Sequence, residues 1–346
     1  MAEVKLAAWN VEWMNDLFDG RGGFKPDGAA VRGPQSSNTV IERRRDIAGV
    51  IDALALDVVV VVEGPNESRE LQLFFDRDVQ GEWSCGVQPT PKSSQILGIA
   101  VRTDGGKFAD PPFERFDTGA GSSNLLALAV REFHEDIDRD ELLEVHRFER
   151  LPIYAEIQLS DGKKFRVVGL HLKSKIVADA VEWARWWSIA DANRKRILAQ
   201  CRRIRARFVD RYLASEDAPV PLILCGDIND GPGFDASERL LGGSGIEDLM
   251  GSVWKPDLAL GNVLYDALPE KAQDEIDLSS IRTTSYRDPI FEKYLKVWID
   301  HILYTRSHGA WVANGRVHDT MPSGRRIWDE FPHASDHHPV SAVVTI

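Results

Sequence analysis

The chain has 346 residues, 42 Lys+Arg against 54 Asp+Glu for a formal net charge of -12, and 43% hydrophobic residues. Such a composition excludes a disordered or fibrous chain, and the acidity excludes broad electrostatic attraction to polyanions; a phosphate-bearing partner needs a local basic patch, a metal, or both. No apolar run approaches the ~20 residues of a membrane span. No secretory signal precedes the strand residues that begin at Val4. Cys85, Cys201 and Cys225 lack CxxC spacing, which argues against a disulfide framework or a zinc knuckle, so a cytoplasmic protein is expected. No linker or internal repeat divides the chain, and one domain over residues 1–346 is expected; the oligomeric state is not legible.

Lys5 to Trp9 reads as a short strand ending at Asn10, a residue that either enters a site or makes a turn. Residues 15–38, rich in Gly and Pro, read as a long surface loop. Thr39 can cap a helix through IERRRDIAGVIDAL, with an apolar stripe of Ile41, Ile47, Val50, Ile51 and Leu54. Arg43, Arg44 and Arg45 near its start are expected to be solvated. Five valines, Val58 to Val62, form a strand buried on both faces, ending at Glu63, either a rim charge or a metal ligand. Residues 67–77 suit a helix, 83–88 and 96–102 suit strands, and 103–149 form a loop-rich polar insertion.

Leu151 to Leu159 alternates as a strand; after the Asp161-Gly162 turn, Phe165 to Leu170 returns as its hairpin partner. That strand delivers His171, Lys173 and Lys175 on one face. A helical region spans 178–213, with Ile197, Leu198, Cys201, Ile204 and Phe208 at helical spacing. Its arginines over 194–207 form either a solvated face or a phosphate-facing patch. Leu222 to Cys225 is a buried strand that breaks at Gly226 and delivers Asp227 and Asn229. Positions two apart face the same way, so this acid and amide point together into a site, unless they only form an Asx turn. A short helix follows over 234–242 and an irregular insertion over 250–290. Val297 to Tyr304 is a strand carrying Asp300 and His301, another strand is expected near 311–317, and 319–334 is a loop. Asp336, His337 and His338 then precede the terminal strand, and in an extended segment only one of the two histidines can enter a site.

Six strand ends therefore carry acid, amide or imidazole groups: Asn10, Glu63, His171, Asp227 with Asn229, Asp300, and Asp336 with His337. Carboxylate and amide oxygens suit Mg²⁺ or Mn²⁺ rather than zinc, and imidazoles beside such an ion fit attack of water on a phosphate ester.

The ordered series WNVEWM, VVVVVEGPN, GLHLKSK, LCGDIND, WIDHILY and SDHHPV, over residues 9 to 340, resembles the endonuclease/exonuclease/phosphatase superfamily, which is deoxyribonuclease I-like, in its bacterial nuclease-like branch. The resemblance implies an α/β (α+β) fold, a four-layer α/β/β/α sandwich with two mixed β-sheets and the site at one end. The segments near 15–38, 103–149 and 250–290 are then loop insertions. It implies that Glu63 and Asn10 hold the divalent metal, with Asp336 beside it, and that His337 is the general base oriented by Asp300. Asp227 would orient the nucleophile, Asn229 would contact phosphoryl oxygens, and His171 would bind phosphate or assist the leaving group. Lys173 and Arg150 would be phosphate contacts. The pattern Ser-Asp-His-x-Pro-Val selects His337 and leaves His338, like His301, at a variable position. The chain departs from the secreted nucleases of that branch in lacking a signal peptide and their cysteines. The expected activity is that of a Mg²⁺- or Mn²⁺-dependent phosphodiesterase, foremost a nuclease acting on DNA or RNA. The alternatives are a phosphatase or phosphodiesterase acting on phospholipid headgroups, inositol phosphates or nucleotides, and a catalytically dead binding module. Lys173, Lys175 and the 194–207 arginines favour nucleic acid; the net charge of -12 favours a small substrate.

Overall fold

Residue alternation along the strands sorts the apolar side chains into layers. The computed structural model describes residues 2–90, 93, 95–115, 132–137, 140–177, 180–215, 218–233, 235–269, 281–287 and 292–346. In β1 (Glu3–Asn10), Val4, Leu6 and Ala8 face one way and Ala7 and Trp9 the other; in β2 (Val58–Gly64), Val58, Val60 and Val62 split likewise from Val59 and Val61. These two strands pair in parallel at the centre of a six-stranded sheet. Its other strands, all antiparallel to their neighbours, are β3 (Trp83–Gln88), β4 (Ile96–Arg102), β15 (Val312–Val317) and β16 (Val340–Thr345), in the order β15-β16-β1-β2-β4-β3.

The second six-stranded sheet repeats this plan. It contains β5 (Phe108–Arg115), β8 (Ile153–Leu159), β9 (Lys164–His171), β10 (Leu222–Asp227), β11 (Leu260–Asn262) and β14 (Asp300–Thr305), in the order β11-β14-β10-β9-β8-β5. Here too one central pair, β9 with β10, is parallel and the rest are antiparallel. Two hairpins lie outside the sheets, β6 (Glu132–Glu135) with β7 (Glu144–Arg147) and β12 (Thr284–Arg287) with β13 (Tyr294–Val297).

The inner faces of both sheets close on one another, with Leu6, Val60, Val167, Ile223 and Ile302 in a single core. Helices α1 (Val40–Leu54) and α2 (Ser68–Asp78) cover the outer face of the first sheet, where Ile47, Ile51, Leu71 and Phe74 meet Ala7, Trp9 and Val59. Helix α3 (Trp183–Ile204), with the short α4 (Ala236–Leu241) and α5 (Gly245–Met250), lies on the second sheet's side, where Leu198, Cys201 and Ile246 meet Val168, Leu170 and Leu224. The arrangement is the expected α/β/β/α sandwich of two mixed sheets.

Most predicted elements sit where expected. Thr39 caps α1 through a capping box with Glu42, the kind of cap worth about 1 kcal/mol. The 178–213 helix starts at Trp183 and widens into a π-helical turn over Arg205–Val209. The strand expected from Val297 begins only at Asp300. Within 15–38 the chain is pinned by bridges between Phe18 and Phe24 and between Ala30 and Thr39, and it buries Leu17 and Phe18. The 103–149 insertion holds β5, β6 and β7; its residues 116–131, and residues 270–280 and 288–291 of the 250–290 insertion, lie outside the described residues. Among the described residues no helix is long and apolar enough to cross a membrane.

The arginines at the start of α1 correct the expectation of a solvated trio. Arg43 is 0% exposed, and its guanidinium donates to the carbonyls of Val11, Glu12, His333 and Ala334. Arg44 is buried against Asp78 and Asp27, with its guanidinium 3.7 Å from the Phe24 ring centroid. Of the three, only Arg45 reaches solvent. These carbonyls lie beyond the strand ends, where no ladder N–H donates to them, and buried carbonyls need donors.

Candidate active site

The parallel strands at each sheet's centre end at the same edge of the sandwich, so their last residues converge. Asn10 continues the inward-facing set of β1, His171 that of β9, and Asp227 that of β10. Glu63 breaks this rule. Strict alternation after Val59 and Val61 would turn it outward into the helical layer. Instead the β2–β4 register shifts between Val61 and Gly64, and Glu63 adopts φ 59°. This left-handed bulge turns its carboxylate inward. The amide nitrogen of Asn10 then donates to Oε1 of Glu63 (3.4 Å) and to Oδ2 of Asp227 (3.1 Å), joining the two sheets.

A second left-handed feature fixes this pair. Glu12 (φ 50°) and Trp13 (φ 54°) are consecutive non-glycine residues with positive φ. Such conformations cost energy and cluster at functional sites. Here they aim the Glu12 N–H at Oδ1 of Asn10 (2.9 Å) and the Trp13 N–H at Oε2 of Glu63 (3.0 Å).

On the second sheet, Asp227 and Asp300 are direct partners across β10 and β14. Asn229 (φ 58°) donates its backbone N–H to Oδ1 of Asp227 (2.9 Å), the Asx turn considered from the sequence, while its side chain turns back and donates to the Leu172 carbonyl (3.2 Å). The turn and the shared site coexist. Gly226 permits it: φ is 128°, and a Cβ there would lie 2.1 Å from the Leu170 carbonyl oxygen. Burial, reinforced by the charge of Asp300, raises the Asp227 carboxyl to about 7.

Nδ1 of His337 lies 2.9 Å from Oδ2 of Asp300, with both residues buried. Burial alone would lower the His337 pKa; the charge and hydrogen bond of Asp300, with the charges of Asp336 and Asp227, outweigh it and hold the imidazole well above its usual range. The neighbourhood fixes this segment tightly. Trp9 donates its indole N–H to the His337 carbonyl (2.9 Å), Ser335 Oγ accepts from the His337 N–H (3.0 Å) and donates to the Asn10 carbonyl (2.6 Å), and Thr283 Oγ1 accepts from the Asp300 N–H (3.2 Å).

His171 sits between the sheets, with Nε2 3.7 Å from Oδ2 of Asp227 and 3.9 Å from Oε1 of Glu63. Burial, then the charge of Arg150, pushes its pKa well down. Arg150 is deeply inserted: Nη2 donates to the Leu172 carbonyl (2.6 Å), while its buried Nε has no partner. Lys173 is less engaged with the acids; its ammonium donates to the neighbouring Ser174 carbonyl (3.1 Å).

Asn10, Glu63, His171, Asp227, Asn229, Asp300 and His337 are thus brought together, with Arg150 behind them. Asp336 borders the group through its backbone, whose carbonyl accepts from Thr284 Oγ1 (2.7 Å), and through the repulsion between its charge and that of Glu12. Lys175 is drawn away from His171 and Lys173. Its ammonium is held by Asp230 and Glu238. The 194–207 basic residues likewise meet acids: Arg194 with Asp235, Lys195 with Glu144, Arg196 with Glu149, and Arg202 with Asp248; Arg205 bonds carbonyls of Leu249, Met250 and Leu258. Most of this face is therefore paired with acids between α3 and its neighbours, rather than freely solvated, while Arg203 lies over the Phe133 ring, 5.5 Å from its centroid.

Both variable histidines are structural. His338 turns away from His337 to lie edge-on to Trp328, 5.1 Å between ring centroids. His301 stacks on Trp298, donates from Nε2 to the Asp230 carbonyl (2.8 Å) and accepts at Nδ1 from the Asn262 amide (3.1 Å).

Glu12 carries no role in the sequence reading, although its position two beyond Asn10 was a usable signal. Its pKa is pushed up to about 7 by burial and by the charge of Asp336. Among the described residues, Glu12 Oε2 and Asp336 Oδ1 are buried oxygens without a donor, and Nδ1 of His171 also meets no partner. Buried acceptors of this kind are costly unless something cationic or donating meets them. Unmet carboxylate oxygens of this kind, beside Glu63 and Asn10, fit a hard divalent cation. Asp227, Asp300 and His337 also bring ligand-type atoms within 4.8 Å of one another. In that triplet Asp300 and His337 satisfy each other, as Asn10 and Glu63 do beside them, whereas Glu12 and Asp336 each keep an oxygen unmet among the described residues.

No family model and no curated protein matches this chain. Among solved structures it is similar to an endonuclease/exonuclease/phosphatase from Bacteroides vulgatus, with 13% identity over 100% of each chain and a TM-score of 0.49. It is also similar to the human Nocturnin catalytic domain, with 16% identity over 99% of this chain and 92% of that one and a TM-score of 0.46. A third is D. rerio TDP2 complexed with a single-strand DNA product, with 13% identity over 100% of each chain and a TM-score of 0.46. One of these is named for the superfamily that the six sequence motifs resemble. At such identities and scores the likeness is one of fold, and chemistry is argued from this chain's own residues.

Proposed function

We propose that this chain hydrolyses phosphoesters with a divalent metal, Mg²⁺ or Mn²⁺, using His337 as the base that takes a proton from water. The observation that carries the reading is the buried His337–Asp300 pair, 2.9 Å apart, opening onto the Asn10–Glu63–Asp227 junction. Asp300 accepts from Nδ1 and leaves Nε2 as the basic atom, the tautomer a general base needs. Glu63, Asn10 and Asp336 would hold the metal, which when bound supplies positive charge against the phosphoryl oxygens. With positive charge held there, the negative field around His337 falls and its imidazole moves back toward the neutral form. Asp227 would orient the attacking water and His171 would face the phosphoryl side, while the Asn229 amide and Arg150 brace the Leu172 carbonyl behind them.

The nucleic-acid reading loses its main support, because Lys175 and most of the 194–207 cations are held in ion pairs. Those cations are not free to release counterions from a polyanion. A small phosphorylated molecule is therefore placed ahead of DNA or RNA. The test is turnover of bis-(p-nitrophenyl) phosphate, sugar and inositol phosphates, nucleotides, plasmid and single-stranded DNA, and RNA, each with Mg²⁺, Mn²⁺ or EDTA. Metal-dependent hydrolysis by wild type that His337→Ala abolishes is expected. Turnover that survives both EDTA and His337→Ala, or no turnover at all, would sink the proposal. Preferential cutting of DNA or RNA would restore the nuclease reading.

A further inference from the structure

An open cavity of about 540 Å³ lies beside the metal-side carboxylates, floored by Glu12 and Trp13 and walled by the 30–38 segment. Resting on the hydrolase reading, we infer that this cavity holds the neutral, hydroxyl-bearing part of the substrate, so that the preferred substrate is the phosphate ester of a sugar or polyol.

The lining selects against the other common partners of a phosphate. Arg32 is the cation in the cavity wall, and it is spent: its guanidinium makes two bonds to Asp16, at 2.6 and 2.7 Å. A second phosphate would therefore meet Glu12 without a free positive charge to offset it. A nucleobase needs an open aromatic face. The cavity's one aromatic residue, Trp13, has a face covered by that same guanidinium, 3.6 Å from the ring centroid. The remaining chemistry is accepting and polar. Glu12 brings a carboxylate to the floor, and exposed Gln35 and Ser36 line the rim. Hydroxyl groups satisfy such a surface, donating to the carboxylate and exchanging bonds with the amide and the serine.

The cavity is also held at a fixed position relative to the chemistry. Trp13 donates to Glu63, so the floor is bonded to a metal-side carboxylate. Asn38 anchors the wall, donating to the Gln35 carbonyl (2.8 Å) and accepting at Oδ1 from the Gln35 N–H (3.3 Å). The wall approaches α1 so closely that a Cβ at Gly33 would lie 2.9 Å from Cδ of Arg43. A group seated there is held at a set place beside Glu63 rather than on a mobile loop.

Two measurements test the assignment. The first is the ratio of kcat/KM for a sugar phosphate or inositol monophosphate to that for p-nitrophenyl phosphate, in wild type and in Ser36→Trp, which fills the cavity. The ratio should favour the polyol ester in wild type and fall about tenfold or more in the variant. The second needs no turnover: calorimetric binding of the same polyol phosphate to His337→Ala with Mg²⁺, with and without Ser36→Trp, where the added indole should weaken binding by a similar factor. Hydrolysis of p-nitrophenyl phosphate with no preference for the polyol ester, and an unchanged ratio in Ser36→Trp, would overturn the cavity's role while leaving the hydrolase standing. A preference for nucleoside monophosphates would overturn it in favour of base recognition. If nothing is hydrolysed, the hydrolase reading fails, and the calorimetric pair still decides whether the cavity binds the polyol ester.

Discussion

Oδ2 of Asp300 and Nδ1 of His337 meet at 2.9 Å across the gap between the two sheets, one residue beginning β14 and the other lying just before β16. If this pair is the base and its orienting acid, His337→Ala should lower kcat by about 10²–10⁴. Asp300→Asn should also lower it and, by removing a negative charge, lower the His337 pKa. The acid limb of the kcat–pH profile should then move to lower pH. A profile unchanged by Asp300→Asn would separate the two residues functionally.

Asp227 should trade stability for activity. Its carboxyl is raised to about 7, above the ordinary carboxylate range near 3.9, so the folded state holds that proton more tightly than the unfolded chain does. Its ionised form is therefore a burden above pH 7 that is relieved as pH falls. In metal-free protein at pH 8, Asp227→Asn should raise unfolding free energy by on the order of 2–4 kcal/mol, with the gain shrinking toward pH 5 and with activity lost. Urea unfolding at both pH values reads this directly.

Glu63 should couple metal to fold. With EDTA, Glu63→Gln should match or exceed wild type in Tm, since a charge leaves an acidic cluster. With Mg²⁺ or Mn²⁺, wild type should gain stability and the variant should gain much less, because a ligand that binds only the folded state stabilises by mass action. Equal gains in both proteins would remove Glu63 from the metal side.

Arg43 ties together two segments that the chain separates widely, residues 11–12 and 333–334. Arg43→Met leaves those carbonyls without a donor and should cost about 3–5 kcal/mol in urea unfolding. Arg43→Lys, which keeps the charge and loses the fork, should recover only part of it.

His318 should make the protein acid-sensitive. Burial lowers its pKa to about 4, and Nε2 lies 2.7 Å from Ser341 Oγ. A depressed pKa means that the unfolded chain gains the proton first, near pH 6.5, so stability present above that pH is lost as pH falls toward 4. The stability difference between wild type and His318→Gln should narrow by about 2 kcal/mol from pH 7 to pH 5. A difference independent of pH would show that folding leaves the His318 pKa unchanged.

The strands were legible because local pattern and burial agree. Five consecutive valines can only be a strand covered on both faces, and that strand is β2. The Thr39 cap was legible for the same reason, since both partners of its box lie within one turn. The site residues were legible as types at strand ends. What escaped depends on distant partners. Alternation alone would turn Glu63 outward, and only the bulge against β4 explains its inward carboxylate. Arg43 looked like a surface arginine because its carbonyl partners at 333 and 334 lie about 290 residues away in the chain. Lys175 shared a face with His171 in the alternation pattern, but Asp230 and Glu238 capture it.

The first sheet draws its strands from both ends of the chain, and β16 is inserted between β15 and β1 near its middle. A chain emerging from the ribosome therefore makes Asn10, Glu63, His171 and Asp227 long before it makes His337 and the strand that anchors it. β1 can pair with β2 early, but its other edge must wait for β16, more than 300 residues downstream. Pairing over that distance is slow to close. Synthesis thus keeps His337 apart from Asn10, Glu63 and Asp227 until almost the whole sandwich can form, and if His337 is the base, a chain halted before β16 should be inactive.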